Sequence, residues 1–519
     1  MLIVHNGKTK YLEFSRGILI LEKIRVTYSG LIAFGIRLVS IFTGLIFTLI
    51  VTRQLSPQEF GTWGLINGII IYAMIINPII NYWVTREIAR GEKTGKTAIF
   101  SSSIFSVGGV CIYLISAYIV GIQSDADLNA LLFATLLVPV IFLYNCLTAI
   151  NLAYKPQAIS YGFLVFEILK IPAGLFFVYF YGFGVQGAIL ATLLAYVAST
   201  VVLGFYAKEQ LRTRFQKEYL LKWMRFFWIP FYRSLPGLIQ MSDVTVFSII
   251  TGSVVGVAYF TAARTFGMLV NHVRGFNTGL YPKLLETGKQ EFLQENLIKL
   301  FYFAFPLTAF SITFAKPGLF ALNPIYQAGV LFVVFISLRM FLKTLNQILF
   351  QALEGIEGID KNRQSTFKDY LKSKLVWIST FDLIRHSCYI GILAVMLLIF
   401  SSQTDSVLDL VFYWSIIGFI VEVPLTFYII HTTRKSFTLK IDKKRTFKYL
   451  VVSIVVFGLV GFYMEENLEY KNSIFEFLPS LFIFVVISVG GYLGITYLID
   501  KKTKILFKAI WNELANKPK

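Results

Sequence analysis

The sequence predicts an all-α, polytopic membrane protein of about 14 transmembrane helices, with both termini on the cytoplasmic side. Three observations carry this. The 519-residue chain is 56% hydrophobic and 16% aromatic, with a mean hydropathy of +0.68; a soluble domain is about 45–50% apolar even with glycine counted. Apolar runs of about 20 residues, the length that crosses a bilayer, recur from Tyr28 onward. Finally, the chain has a formal net charge of +19, and its basic residues lie in the connections between the runs. That placement marks cytoplasmic loops and argues against a nucleic-acid partner.

In chain order, Met1–Thr27 mixes basic and apolar residues and fits a segment lying along the inner membrane surface. Its apolar patch, Ile18–Leu21, is too short for a signal peptide. The expected spans are approximately 28–52, 61–84, 98–121, 130–152, 159–181, 185–207, 229–250, 257–281, 297–315, 327–352, 376–400, 408–430, 447–464 and 474–499. With the N-terminus inside, the inner segments collect roughly 37 Lys and Arg and the outer ones about 3, namely Arg53, Lys316 and Lys471. The inner connection Lys208–Trp228 is strongly basic, and so is His431–Lys448, with Lys443, Lys444 and Arg445. Outer connections carry acids instead, among them Asp125, Asp127, Asp405, Glu465 and Glu466. They are too short to hold a soluble domain of about 50 residues or more.

The first hairpin, Tyr28 to Gly91, organises the rest. Its connection has the grammar of a helix start: Ser56 as N-cap, Pro57 at the first helical position and Glu59 three residues after the cap. The second expected span begins Gly61-Thr62-Trp63 and the eighth follows Val255-Gly256 with Tyr259, a weak sign of internal repetition. Two halves with the same starting orientation would be related by an axis along the membrane normal. The cysteines, Cys111, Cys146 and Cys388, fall inside apolar runs without metal-ligand or disulfide spacing. With only four histidines, no metal site is expected. No phosphate-binding Gly-x-x-x-x-Gly-Lys-Ser/Thr motif is present, so neither ATP hydrolysis nor a cofactor is expected.

Ionisable residues inside the expected spans are the functional candidates, because each costs at least ~2.5 kcal/mol at a helix centre. They are Arg37, Lys170, Arg233, Arg264, Arg274, Arg339, Lys343 and Arg385 against Glu167, Asp243, Asp382 and Glu422. Glu167 and Lys170 are three apart, and Asp382, Arg385 and His386 share a face, so these groups have local partners. Arg37 and Arg264 lie deep in their spans, while Arg339 and Lys343 are like charges on one face that call for water or an anion. Asn271 shares the face of Arg264, and Arg274 flanks it, giving a stripe suited to a polar cavity. Arginine binds phosphate oxygens through a planar fork and stays charged at cellular pH. The expected anion-binding set is therefore Arg37, Arg264, Asn271, Arg274, Arg339 and Lys343. Asp243, Asp382 and Glu422 are candidates for ion coupling or gating.

The stretch Arg53-x-Leu55-Ser56-Pro57-x-Glu59-Phe60-Gly61-x-Trp63 resembles the first-loop motif of polysaccharide-biosynthesis export proteins. These are the lipid-linked oligosaccharide flippases of the multidrug/oligosaccharidyl-lipid/polysaccharide exporter superfamily. Asp243–Ile250 with Val255–Ala262, and Pro324–Ala328 with Leu353–Gly355, resemble the same family. The resemblance implies two six-helix lobes around a central cavity: an N-lobe (28–228) and a C-lobe (229–430). A basic loop with a final helix pair (431–499) and a basic tail (500–519) follow. Within the first-loop motif, Arg53, Ser56, Pro57, Glu59 and Gly61 are read as structural. The implied substrate is a polyprenyl- or dolichyl-(pyro)phosphate-linked oligosaccharide, flipped across the cell membrane. Membrane lipids, H⁺ or Na⁺, and glycan-assembly enzymes are its expected partners. Two alternatives remain at this stage. A drug/cation antiporter of the same superfamily would need an acidic cavity. A membrane glycan polymerase or glycosyltransferase would need convergent carboxylates at an outer loop.

Overall fold

The computed structural model describes residues 42–277, 291–356, 373–404, 406–437 and 442–505. Arg37 and the inner part of the first expected span lie outside them. Every regular element among the described residues is helical. The chain opens with α1 (Phe42–Gln54), α2 (Pro57–Ala73), α3 (Asn77–Ala89), α4 (Gly95–Gln123), α5 (Leu128–Phe133) and α6 (Leu137–Tyr154). It continues through α7 (Gln157–Gly174), α8 (Gly184–Leu211), α9 (Lys217–Arg225), α10 (Trp228–Met241), α11 (Asp243–Thr251) and α12 (Val255–Gly267). Then come α13 (Glu291–Thr313), α14 (Ala315–Leu322), α15 (Val330–Gly355), α16 (Lys374–Phe400), α17 (Val407–Ser436), α18 (Lys443–Asn467) and α19 (Ile474–Ile499).

Among the described residues, 11 helical segments are long and apolar enough to cross a membrane, so this is a multi-pass membrane protein. The expected count of 14 is not reached on this criterion. Only residues from Phe42 of the first expected span are described. The seventh breaks between α10 and α11 at Ser242, and the eighth passes from α12 into a 3₁₀ stretch, Met268–Asn277. A hydropathy window registers apolar length and is blind to a change of hydrogen-bond register.

The described chain divides into two compact units. The first holds the residues ending at Phe47, Ala73–Tyr113 and Phe133–Phe231. In its core Ile80, Val84, Cys146, Ile150 and Leu203 surround Trp223, which is fully buried. Trp223 belongs to α9, a short amphipathic helix in the basic connection after α8. Its neighbour Lys222 is paired to Glu87 at 2.8 Å. Deeper in this unit Lys170 Nζ sits 2.6 Å from Glu167 Oε2, and Thr43 Oγ1 donates to the same oxygen at 2.6 Å. This buried charge pair is neutralised along one helix, as the i,i+3 spacing predicts.

The second unit holds Thr48–Tyr72, Leu114–Leu132 and the described residues from Tyr232 on. An aromatic core joins α13 to the final helix pair, with Tyr302, Phe314, Tyr449, Phe457, Phe477 and Tyr492 buried together. At one end of that pair, Arg445 Nη2 lies 2.9 Å from Asp500 Oδ2. Tyr449 and Thr503 hydroxyls donate to the same carboxylate oxygen, both at 2.6 Å.

Candidate functional site

The first-loop residues form a joint. Ser56 N donates to Glu59 Oε2 at 2.9 Å, and Glu59 N donates back to Ser56 Oγ at 3.3 Å. This is the capping box, with Pro57 opening α2. Arg53 donates from Nε to Ala321 O (3.0 Å), from Nη2 to Phe320 O (3.1 Å) and from Nη1 to Asn472 O (3.1 Å). Two of those acceptors are carbonyls in the last turn of α14, which lack intrahelical partners. Gly61 faces the Val254 carbonyl so closely that a Cβ would overlap it.

A cavity of about 510 Å³ opens within the second unit, between α10, α12 with its 3₁₀ continuation, α15 and α16. Five basic residues line it: Arg233, Arg264, Arg274, Lys343 and Arg385. Only two carboxylates do, Glu354 and Asp382. Five minus two leaves the lining formally +3. Amides of Gln240, Asn271, Gln347 and Gln351, and the thioethers of Met241, Met268 and Met340, fill the spaces between them.

The cations divide into two kinds. Among the described residues, Arg233, Arg264, Arg274 and Lys343 have no carboxylate within 4.0 Å. Arg264 Nη2 rests on Met241 Sδ at 3.4 Å, and Asn271 Nδ2 rests on Met340 Sδ at 3.5 Å. Arg385 is held from two sides. Its Nη1 lies 2.6 Å from Glu422 Oε1, behind the cavity, and its Nη2 lies 2.9 Å from Asp382 Oδ1, in the cavity wall. His386 Nε2 stands 3.1 Å from the same Nη2. Asn346 fixes Glu422, donating to its Oε1 at 3.0 Å.

Four of the residues expected at an anion site, Arg264, Asn271, Arg274 and Lys343, meet in this cavity. Arg339 does not line it. Gly418 leaves it room to lie against α17, where an added Cβ would stand 2.5 Å from its Nη1. Its guanidinium carbon lies 4.1 Å from the centre of the Tyr389 ring, and Nη1 donates to the Tyr389 hydroxyl at 3.1 Å. That hydroxyl donates to Asp243 Oδ2 at 3.0 Å and accepts from Trp414 Nε1 at 2.9 Å. Asp243 is thus committed to a buried network. Glu422 is the inner anchor of Arg385, and Asp382 alone of the three candidate acids faces the cavity. Sequence reasoning set Arg385 aside as locally paired and did not weigh Glu354. Their signal was present, as ionisable residues on apolar helices, but their orientation was not.

No protein-family model and no curated protein matches the sequence. The helices and their order form a fold known from solved membrane transporters of the multidrug/oligosaccharidyl-lipid/polysaccharide exporter (MOP) superfamily, the one the first-loop motif resembles. In particular, the chain is similar to a lipid II flippase, MurJ, in an inward closed conformation. That match has a TM-score of 0.62 at 13% identity and covers 89% of this chain and 98% of the flippase. An inward-facing multidrug resistance MATE family transporter of the superfamily matches with a TM-score of 0.59 at 16% identity, over 78% of this chain and 98% of the other. A superfamily transporter from Pyrococcus furiosus, described as having a binding pocket of reversed polarity that suggests a different function, matches with a TM-score of 0.52 at 17% identity, over 79% of this chain and 95% of its own.

Proposed function

We propose that this protein is a flippase. It moves a polyprenyl- or dolichyl-(pyro)phosphate-linked oligosaccharide from the cytoplasmic to the outer leaflet of the cell membrane by alternating access. The observation that carries this reading is the sign of the cavity: five basic residues line it against two carboxylates, and four of the five have no carboxylate within 4.0 Å among the described residues. Guanidinium groups take phosphate oxygens, and the intervening amides suit sugar hydroxyls. Arg37 keeps its place in the proposed anion set on sequence grounds.

An inside-negative potential favours the outward step. Moving a head of charge about −2 across 100 mV yields roughly 4–5 kcal/mol. A cation antiporter would want the opposite lining, and the superfamily member of reversed pocket polarity is a precedent for one fold holding pockets of either sign. The test is transbilayer movement of a labelled polyprenyl-pyrophosphate sugar in proteoliposomes, with wild type beside Arg37→Ala, Arg264→Ala and Lys343→Ala. Protein-dependent movement that falls sharply in the variants supports the reading. No movement across several lipid carriers, in folded protein under an imposed potential, overturns it.

A further inference from the structure

Resting on the anion-binding reading of the cavity, we propose that Asp382 is an internal stand-in for the ligand. It occupies the guanidinium edge of Arg385 that an incoming (pyro)phosphate takes over, while Glu422 holds the opposite edge in place throughout.

The two carboxylates around Arg385 are not equivalent. Glu422 is 3% exposed, does not line the cavity, and is fixed by Asn346 at 3.0 Å. Among the described residues Glu422 has no other ion-pair partner than Arg385, so losing it would strand a buried carboxylate, and the Nη1–Glu422 contact is the persistent one. Asp382 lies in the cavity wall, and its side chain is 28% exposed. On leaving Nη2 it swings into a water-accessible space and stays solvated, so the exchange strands no buried charge. Geometry matches the roles. Nη1 donates a hydrogen bond to Glu422 Oε1 at 2.6 Å, whereas Nη2, shared with His386 Nε2 at 3.1 Å, only pairs by charge with Asp382 Oδ1 at 2.9 Å, an oxygen that accepts no hydrogen bond among the described residues. Replacing the outer carboxylate with a phosphate oxygen keeps the charge pairing and can add the aligned hydrogen bond that Asp382 Oδ1 does not accept. Arg264, Arg274 and Lys343 line the same cavity without a carboxylate to shed. Arg385 is therefore the one lining cation, among the described residues, with a built-in competitor.

An internal competitor lowers apparent affinity by the fraction of time the site is open. Removing it should tighten binding, whereas removing the inner anchor should weaken it. Simple charge bookkeeping predicts something else: any lost carboxylate in the wall raises the positive potential and tightens binding equally. Glu354 separates the two ideas, since it lines the cavity without an ion pair to Arg385.

The experiment measures binding of farnesyl diphosphate, and separately of inorganic pyrophosphate, to the full chain in nanodiscs by titration calorimetry. Asp382→Asn should bind the lipid diphosphate about tenfold more tightly than wild type. Glu354→Gln should change affinity much less, and Glu422→Gln should weaken it, with partial recovery in Glu422→Asp. Equal tightening in Asp382→Asn and Glu354→Gln overturns the stand-in role, as does unchanged or weakened binding in Asp382→Asn. If Glu422→Gln does not fold, the comparison of the first two variants decides alone. Absence of binding in both wild type and Asp382→Asn overturns the anion-site reading along with the exchange. Binding of pyrophosphate with the same variant pattern but no gain from the farnesyl chain keeps the exchange and removes the lipid from the ligand.

Discussion

Arg339 and Tyr389 are locked together: the guanidinium lies 4.1 Å from the ring centre and donates to the hydroxyl at 3.1 Å. The same hydroxyl serves Asp243 and Trp414, so one oxygen ties together α11, α15, α16 and α17. Tyr389→Phe leaves a buried cation, a carboxylate and an indole each short of a partner. Since each unsatisfied buried group costs about 1–3 kcal/mol, the variant should unfold at clearly lower temperature in a fluorescence melt. Its affinity for a diphosphate should change far less than that of Arg264→Ala. A variant that melts like wild type would show that the hydroxyl is dispensable.

Arg264→Ala and Lys343→Ala should weaken diphosphate binding with little loss of stability, because neither has a carboxylate to strand. Arg264→Lys should recover only part of the affinity, since an ammonium cannot present two parallel donors. Calorimetry at two salt concentrations checks this. Affinity in wild type should fall with salt, and the dependence should be shallower in both alanine variants.

At the first loop, Arg53→Lys should destabilise almost as much as Arg53→Ala. A lysine has three donors but not the fork that reaches Ala321, Phe320 and Asn472 carbonyls together. Gly61→Ala should be harmful too, because its Cβ meets the rigid Val254 carbonyl, and overpacking of this kind costs about 1–3 kcal/mol. Proteolysis or melting of the purified variants reads both effects. A stable Arg53→Lys would remove the clamp from the account.

The Glu167–Lys170 pair gives a non-additive prediction. Lys170→Met leaves Glu167 buried with, among the described residues, Thr43 as its hydrogen-bond donor, and breaking such a pair costs about 3–5 kcal/mol. Glu167→Gln combined with Lys170→Met should be much closer to wild type than Lys170→Met alone. A double-mutant cycle on thermal stability measures the coupling, and strict additivity would refute it.

Asp500, beyond the end of α19, sets an acid limit. Burial alone would raise its carboxyl, but hydrogen bonds from Thr503 and Tyr449 and the charge of Arg445 bring it from the ordinary 3.8 down to about 2. A carboxyl depressed on folding stabilises above its unfolded value and loses that contribution as pH falls through the folded one. Wild type should therefore be more stable than Asp500→Asn from neutral pH down to about 4, with the gap closing towards pH 2. Parallel melting curves across that range, with no closing of the gap, would contradict the assignment.

Class and much of the cavity lining were legible in the sequence for one reason: charge inside a bilayer is expensive. The cost makes Arg264, Arg274 and Lys343 conspicuous against their apolar runs, and all three line the cavity. The capping box at Ser56 and Glu59 was legible because it is local. What escaped depends on partners far along the chain. Arg339 looked like a cavity residue because its partner Tyr389 lies 50 residues away. Arg385 looked self-neutralised because Asp382 is three residues away, while Glu422, 37 residues away, was invisible as its second partner. The breaks at Ser242 and after Gly267 escaped because the polar residues there, Ser242 with Asp243 and Asn271 with Arg274, read as site chemistry within one span and not as a change of helix type.

The seat of Arg264 on the Met241 sulfur, at 3.4 Å, bears on speed. A thioether is a weak, neutral acceptor, so a guanidinium resting on it surrenders almost nothing when an anion arrives, and little pulls it back. Arg385 must first let go of a carboxylate. On the proposed anion-binding reading, Arg264 has a weak neutral contact to give up and Arg385 a carboxylate, so an anion meets the lower barrier at Arg264. On that same reading, a bound anion's dwell time would be set at Arg385, where leaving and re-pairing with Asp382 are linked.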